Sequence, residues 1–191
     1  MFLAAIRLKT TPWCGYTCGL PVMQVTLTTA RSETWVIPRP RRTPQPEMNM
    51  RTSARNQFVG QVVDVKHGAV NDEILLRAND GLEIVAVITH GSAASLGLAA
   101  GKAAFALVKA SSVIVMVDVA DSQVSARNCF AGTVSVVTPG AVNSEVIITV
   151  AGGAQIAAIV TNESAQRLAL AGGQAATAIF KASSVIIGVD D

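Results

Sequence analysis

Aromatic side chains make up only 4% of the 191 residues and charged ones only 15%. Scarce rings leave few platforms for stacking bases, and a formal net charge of +2 gives a polyanion little to follow. No nucleic-acid partner is expected. Cysteine is also rare: Cys14, Cys18 and Cys129 form an odd set, only one of which lies beyond residue 50. They make no disulfide framework, and a reducing cytoplasm fits this usage. Cys14-x-x-x-Cys18 offers two thiols and no nearby histidine, short of the four ligands of a structural zinc site. No apolar run approaches the roughly 18 residues that cross a bilayer, and Met1–Ile6 is cut off by Arg7 and Lys9. Neither a membrane span nor a secretory signal is expected. What is present is 50% apolar content, mostly Ala, Val and Ile, which suits strands packed through small and β-branched side chains.

Residues 1–50 hold both tryptophans, the single tyrosine and the run Pro38-Arg39-Pro40-Arg41-Arg42-Thr43-Pro44-Gln45-Pro46, which no helix or central strand tolerates. They carry six basic and two acidic residues, against nine and eleven in residues 51–191. Such a segment reads as a disordered leader, or as sequence upstream of a later start at Met48 or Met50. Contact with nucleic acid or an anionic membrane is the alternative for it.

Beyond residue 50 the chain repeats itself. Ser53-Ala54-Arg55-Asn56 returns as Ser125-Ala126-Arg127-Asn128, an offset of 72, and at the same offset Gly68-Ala69-Val70-Asn71 and Lys109-Ala110-Ser111-Ser112-Val113-Ile114 return without a gap. Residues 53–118 and 125–190 share 34 of 66 positions. The chain therefore divides into a leader (1–50), a first module (51–118), a linker (119–124) and a second module (125–191). In the first module strands are expected at 57–66, 73–78, 82–88, 103–108 and 113–117. A bulge or bend is expected at Gly60, a hairpin turn at Asn79-Asp80-Gly81 and two helical turns over Ser92–Leu98. Five short strands with one short helix describe an all-β architecture: two tandem OB-type Greek-key barrels.

The polar residues that recur are mostly donors: Ser53, Arg55, Asn56, Thr89, Ser92, Lys109, Ser111 and Ser112, with Ser125, Arg127, Asn128, Thr161, Ser164, Lys181, Ser183 and Ser184. The only recurring acids are Glu73/Glu145 and Asp118/Asp190. No nucleophile–base pair recurs, since His67 aligns with Pro139 and His90 with Asn162; both histidines read as ordinary surface residues, and no enzyme is expected. Hydroxyls and cations without a base describe an anion site. Equally, Thr and Ser can simply cap the helix while Lys109 sits solvated at a turn. Gly97-x-x-x-Gly101-Lys102 is one residue short of a phosphate loop, and Gln174 replaces the lysine in the second copy, so nucleotide binding is set aside.

The paired motifs Ser-Ala-Arg-Asn-(Gln/Cys)-Phe-x-Gly, Gly-Ala-Val-Asn-x-Glu and Lys-Ala-Ser-Ser-Val-Ile resemble those of the molbindins, whose transport-associated OB (TOBE/Mop) modules bind molybdate and tungstate. The resemblance spans residues 53–190. It implies a cytoplasmic, non-enzymatic storage or homeostasis protein that assembles as a homotrimer, with molybdate or tungstate as bound oxyanion, no organic cofactor and no direct metal-cation ligands. Carried over, the ligands are Ser53, Arg55, Thr89, Ser92, Lys109, Ala110 and Ser111 in the first module. In the second they are Ser125, Arg127, Thr161, Ser164, Lys181, Ala182 and Ser183. A further class of site would use Val70, Asn71, Val142 and Asn143. The family also implies that the Ser/Arg and Lys/Ser segments meet across a boundary between modules. His90-Gly91 departs from the Asn162-Glu163 pair, and residues 1–50 have no counterpart.

The alternative is the molybdate-sensing effector part of a regulator or transporter system. A DNA-binding effector needs a helix-turn-helix and a transporter ATPase a complete phosphate loop, and neither pattern is visible in the 52 residues before Ser53.

Overall fold

A computed structural model describes residues 51–118 and 124–190. The expectations placed on residues 1–50, on Cys14 and Cys18, and on most of the linker fall outside these residues.

Alternating burial builds the first repeat's strands. β1 (Asn56–Lys66) turns Asn56, Phe58, Gly60 and Val62 inward, and β2 (Asn71–Ala78) buries Asp72, Ile74, Leu76 and Ala78. The turn at Asn79–Gly81 forms as expected, with Gly81 at φ 91° and its N–H donating to the Ala78 carbonyl at 2.9 Å. β3 (Glu83–Thr89), α1 (His90–Ser95), β4 (Ala103–Val108), a 3-10 turn (Ala110–Ser112) and β5 (Ile114–Met116) follow. The helix begins two residues earlier than expected, because Thr89 is its N-cap and accepts the Ser92 N–H. The second repeat gives β6 (Asn128–Pro139), β7 (Asn143–Val150), β8 (Gln155–Thr161), α2 (Asn162–Arg167), β9 (Ala175–Phe180) and β10 (Val185–Gly188).

The bulge lies at Val63, not at Gly60, since the β1–β2 register slips between Val62 and Asp64. Gly60 answers a different need. A Cβ there would sit 2.0 Å from the Arg77 carbonyl oxygen, so β2 can approach β1 only over a bare α-carbon. Gly132 meets Thr149 in the same way.

All pairings are antiparallel, and the strands form two five-stranded sheets, β10-β4-β1-β2-β3 and β5-β9-β6-β7-β8. Two barrels with one short helix each are present, but they do not coincide with the two repeats. Each repeat sends its last strand into the other barrel, β10 pairing with β4 and β5 with β9.

Side-chain sizes fit this exchange. Gly188 lies opposite Phe105, and a Cβ on it would come 2.2 Å from the ring; in the other sheet Met116 lies opposite the smaller Thr177. Unexchanged strands would set Met116 against Phe105 and Gly188 against Thr177, crowding the outer face of one sheet and leaving a gap on that of the other. A single buried cluster consequently runs through both barrels, from Phe58, Ile74 and Ile84 to Ile148, Ile156 and Phe180.

Candidate functional site

The register of β1 against β4 sets Asn56 opposite Val108, so the residues just before β1 must meet those just after β4. Ser53, Arg55, Lys109, Ala110 and Ser111 accordingly line one open cavity of about 470 Å³. The Ser/Arg and Lys/Ser segments thus converge within one repeat, not across a module boundary as expected. The second repeat supplies the far wall, Ile159 of β8 and Ile186 of β10. The register of β6 against β9, with Asn128 opposite Phe180, brings Ser125 and Arg127 toward Lys181, Ala182 and Ser183 in the same manner.

The arginines are already engaged. Arg55 Nη1 lies 2.7 Å from Glu145 Oε1, an ion pair without aligned hydrogen-bond geometry, while Arg127 grips Glu73 through two hydrogen bonds of 2.8 and 3.0 Å. Burial opposes the Glu73 charge, but bonds from Arg127 and Lys66 outweigh it and hold the carboxyl below its usual range. Among the described residues, the Lys109 and Lys181 ammonium groups have no side-chain hydrogen bond or ion pair. Lys109 is therefore the uncompensated positive charge at the cavity.

Asn56 and Asn128 are fully buried and join the repeats. Asn56 accepts the Ala157 N–H at 2.7 Å and donates to the Ala157 carbonyl at 2.8 Å, and Asn128 does the same to Val85 with both bonds at 2.8 Å. β3 and β8 end their sheets, so each amide satisfies edge backbone groups that burial would otherwise leave unpaired. These residues recur in sequence as donors, but their targets lie in the other repeat.

Thr89, Ser92, Thr161 and Ser164 do not line this cavity. Each Thr hydroxyl caps its helix, and the Thr and Ser hydroxyls bond one another at 2.8 Å in α1 and 2.9 Å in α2. Val70 and Asn71 sit beside that helix start, where the His90 N–H donates to the Val70 carbonyl and Asn71 pairs with Thr89; Val142 and Asn143 repeat the arrangement. Lys102, discounted as a phosphate-loop lysine, donates to the Leu96 carbonyl at 2.8 Å, and Gln174 does the same to Leu168.

The histidines lie at the surface, as expected, and both bond one buried carboxylate. His67 Nδ1 lies 2.9 Å from Asp72 Oδ2, His90 Nδ1 lies 3.1 Å from both carboxylate oxygens, and the Gly68 N–H donates to Oδ1. Pairing of Lys66 with Glu73 and of Asn71 with Thr89 brings the two together. Burial disfavours the Asp72 charge, yet bonds from His67, His90 and Gly68 prevail and keep its carboxyl below the usual range. Weighing only residues shared by both repeats passes over this group, whose signal is three linked replacements in one copy.

Two strand-exchanged OB barrels, with hydroxyl and cationic side chains of one repeat set against an apolar wall from the other, define a pair of OB modules. The TOBE domain family matches residues 52–115 and 124–187, and the chain belongs to that family. It is 45% identical over 142 residues to the molybdenum transport protein ModE of Herbaspirillum seropedicae, covering 74% of this chain and 53% of that protein. It is 44% identical over 142 residues to the molybdenum-pterin-binding protein MopA of Rhodobacter capsulatus, covering 74% and 54%. The chain thus spans about half the length of these curated relatives. A crystal structure of the cytoplasmic molybdate-binding protein ModG with molybdate bound superposes with a TM-score of 0.70 at 46% identity, covering 73% of this chain and 99% of that one.

Proposed function

We propose that this chain is a non-enzymatic cytoplasmic protein that binds and stores molybdate, and tungstate with it. The observation that carries the reading is the convergence of Ser53, Arg55 and Lys109–Ser111 on one cavity with an unpaired ammonium at its edge. The likeness to molybdate-bound ModG supports the choice of ion. Molybdate is a tetrahedral dianion without a proton at neutral pH, so donors alone satisfy it, whereas hydrogen phosphate also needs an acceptor placed for its O–H. Sulfate is discriminated by size alone, through donors spaced too widely to close on it.

The cavity is open on one side and bordered by Ile186, which is 65% exposed; its counterpart Ile114 and the pair Val70 and Val142 are also exposed. Apolar residues that recur in exposed pairs support assembly through both repeats, and the reading is a homotrimer whose subunits complete the oxyanion sites. In that reading Thr89, Ser92, Thr161 and Ser164 contribute from helix starts, and Val70, Asn71, Val142 and Asn143 form a second class of site. Calorimetric titration of anion-stripped protein tests it: molybdate and tungstate bind, sulfate and phosphate bind far more weakly, and Lys109→Ala weakens binding by about 10- to 100-fold, the scale of one lost charge-assisted contact. Equal affinity for sulfate would remove the selectivity, and no oxyanion binding would end the proposal. A second reading, the molybdate-sensing part of a longer regulator, is favoured by the regulator-length relatives of which the chain spans half. Recovery of a DNA-binding region in the intact protein would decide for it.

A further inference from the structure

We infer that His67, Asp72 and His90 form a binding site for one borderline divalent transition-metal ion, of the zinc class, in the first repeat only. The inference is independent of the cavity at Ser53 and Lys109, which none of these residues lines.

The ligand atoms already face one point. Both imidazoles present Nδ1 to the same carboxylate oxygen, Asp72 Oδ2, at 2.9 Å from His67 and 3.1 Å from His90. Around an ion with ligands at about 2.05 Å, tetrahedral neighbours stand about 3.3 Å apart, so each Nδ1–Oδ2 separation suits an ion in place of the bridging imidazole proton once the two exposed imidazoles turn toward one another. The candidate ligand atoms of the three residues all lie within 4.8 Å of one another. The other carboxylate oxygen, Oδ1, accepts the Gly68 N–H at 3.1 Å, the kind of outer contact that holds a ligand in aim. Asp72 is wholly buried while the histidine side chains are 63% and 56% exposed, so the anionic ligand is fixed in the fold and the open positions face water. Two imidazole nitrogens and one carboxylate select zinc, cobalt, nickel or copper over magnesium or calcium, which want oxygen alone.

The second repeat supplies the contrast. Its equivalents Pro139, Ser144 and Asn162 cannot hold such an ion, and there Ser144 simply bonds Asn162 at 2.7 Å. The three positions therefore differ together between the repeats, and the barrel forms with either set.

The test uses the full chain, stripped with a chelator and titrated with Zn²⁺, beside the variant Asp72→Ser/His90→Asn, which installs the second repeat's hydrogen bond, and beside His67→Gln at an exposed position. Wild type takes up one more tight zinc per chain than either variant, with at least a tenfold lower dissociation constant. Cysteines are common to all three chains, so the difference reports this cluster. Nitrogen NMR of the imidazoles then shows Nδ1 of His67 and His90 shifting on zinc addition. Wild type without zinc affinity, or with the same affinity as both variants, overturns the site; zinc that shifts no Nδ1 does so too.

Discussion

The first repeat carries His67, Asp72 and His90 where the second carries Pro139, Ser144 and Asn162, and in the second these positions border a cavity of about 530 Å³. By contrast Ser53, Arg55, Asn56, Glu73 and Lys109 recur with identical partners of their own at an offset of 72. Three of these shared residues face the other repeat: Arg55 meets Glu145 as Arg127 meets Glu73, and Asn56 meets Ala157 as Asn128 meets Val85. The seam and the sites beside it are the same in both repeats, whereas the three positions of the histidine cluster differ.

The seam should be the most sensitive place to break. Asn56→Ala leaves the buried N–H and carbonyl of Ala157 unpaired, a loss of about 2–4 kcal/mol, and Asn128→Ala does the same at Val85. Because both barrels share one core, denaturant melting of either variant should remain a single transition at lower midpoint. Two separated transitions would show that the barrels are independent after all.

Next in size is the exchange of closing strands. Gly188→Met drives a side chain into the Phe105 ring and should cost about 1–3 kcal/mol or more. Adding Phe105→Thr recreates the Met116–Thr177 pair of the other sheet and should recover much of the loss in a double-mutant cycle. Additive losses would mean that size matching does not direct the exchange.

These pairs also mark how far the sequence could be read. Alternation in β1 and β2, the Asn79–Gly81 turn and the Lys109 turn were all legible because they depend on local pattern. Strand exchange was not, since Val113-Ile114 and Val185-Ile186 are identical and fit either barrel until Phe105 and Gly188 are known to be opposite. The cavity at Ser53 and Lys109 was partly legible. Its residues were named from recurrence and resemblance, and the pairing of the first strand with the fourth, had it been drawn, would have joined them within one repeat. The histidine cluster was missed for the opposite reason, that recurrence was the filter and the cluster does not recur.

Acid should separate the repeats. Asp72 and Glu73, both in β2, have carboxyls held below their usual range by hydrogen bonds made only in the fold. A depressed folded-state pKa gives stability that is present above the unfolded value, about 4, and is lost as pH falls through the folded value. Stability against urea should therefore be level above about pH 5 and fall below about pH 4. Asp72→Ser, which copies Ser144, should make that fall shallower. An unchanged acid limb would show that the imidazole contacts do not stabilise the charged carboxylate.

The smallest difference lies at the helix ends. Gly97 and Ala169 occupy equivalent positions just after α1 and α2, and both are left-handed, with φ of 56° and 49°. Glycine adopts this conformation freely, whereas a Cβ adds about 1 kcal/mol of strain against the following carbonyl. At this position the second repeat therefore carries strain that the first does not. Ala169→Gly should stabilise the protein by somewhat less than 1 kcal/mol, because the freer unfolded chain offsets part of the relief. Gly97→Ala should cost about 1 kcal/mol, and the space at Gly97 is sufficient, its nearest neighbour being the flexible Lys102 ammonium at 3.4 Å. Thermal melting of both variants decides whether backbone conformation sets the effect. Opposite signs follow from a shared left-handed geometry, whereas destabilisation by both would mean that the Ala169 methyl makes packing contacts worth more than the strain it carries.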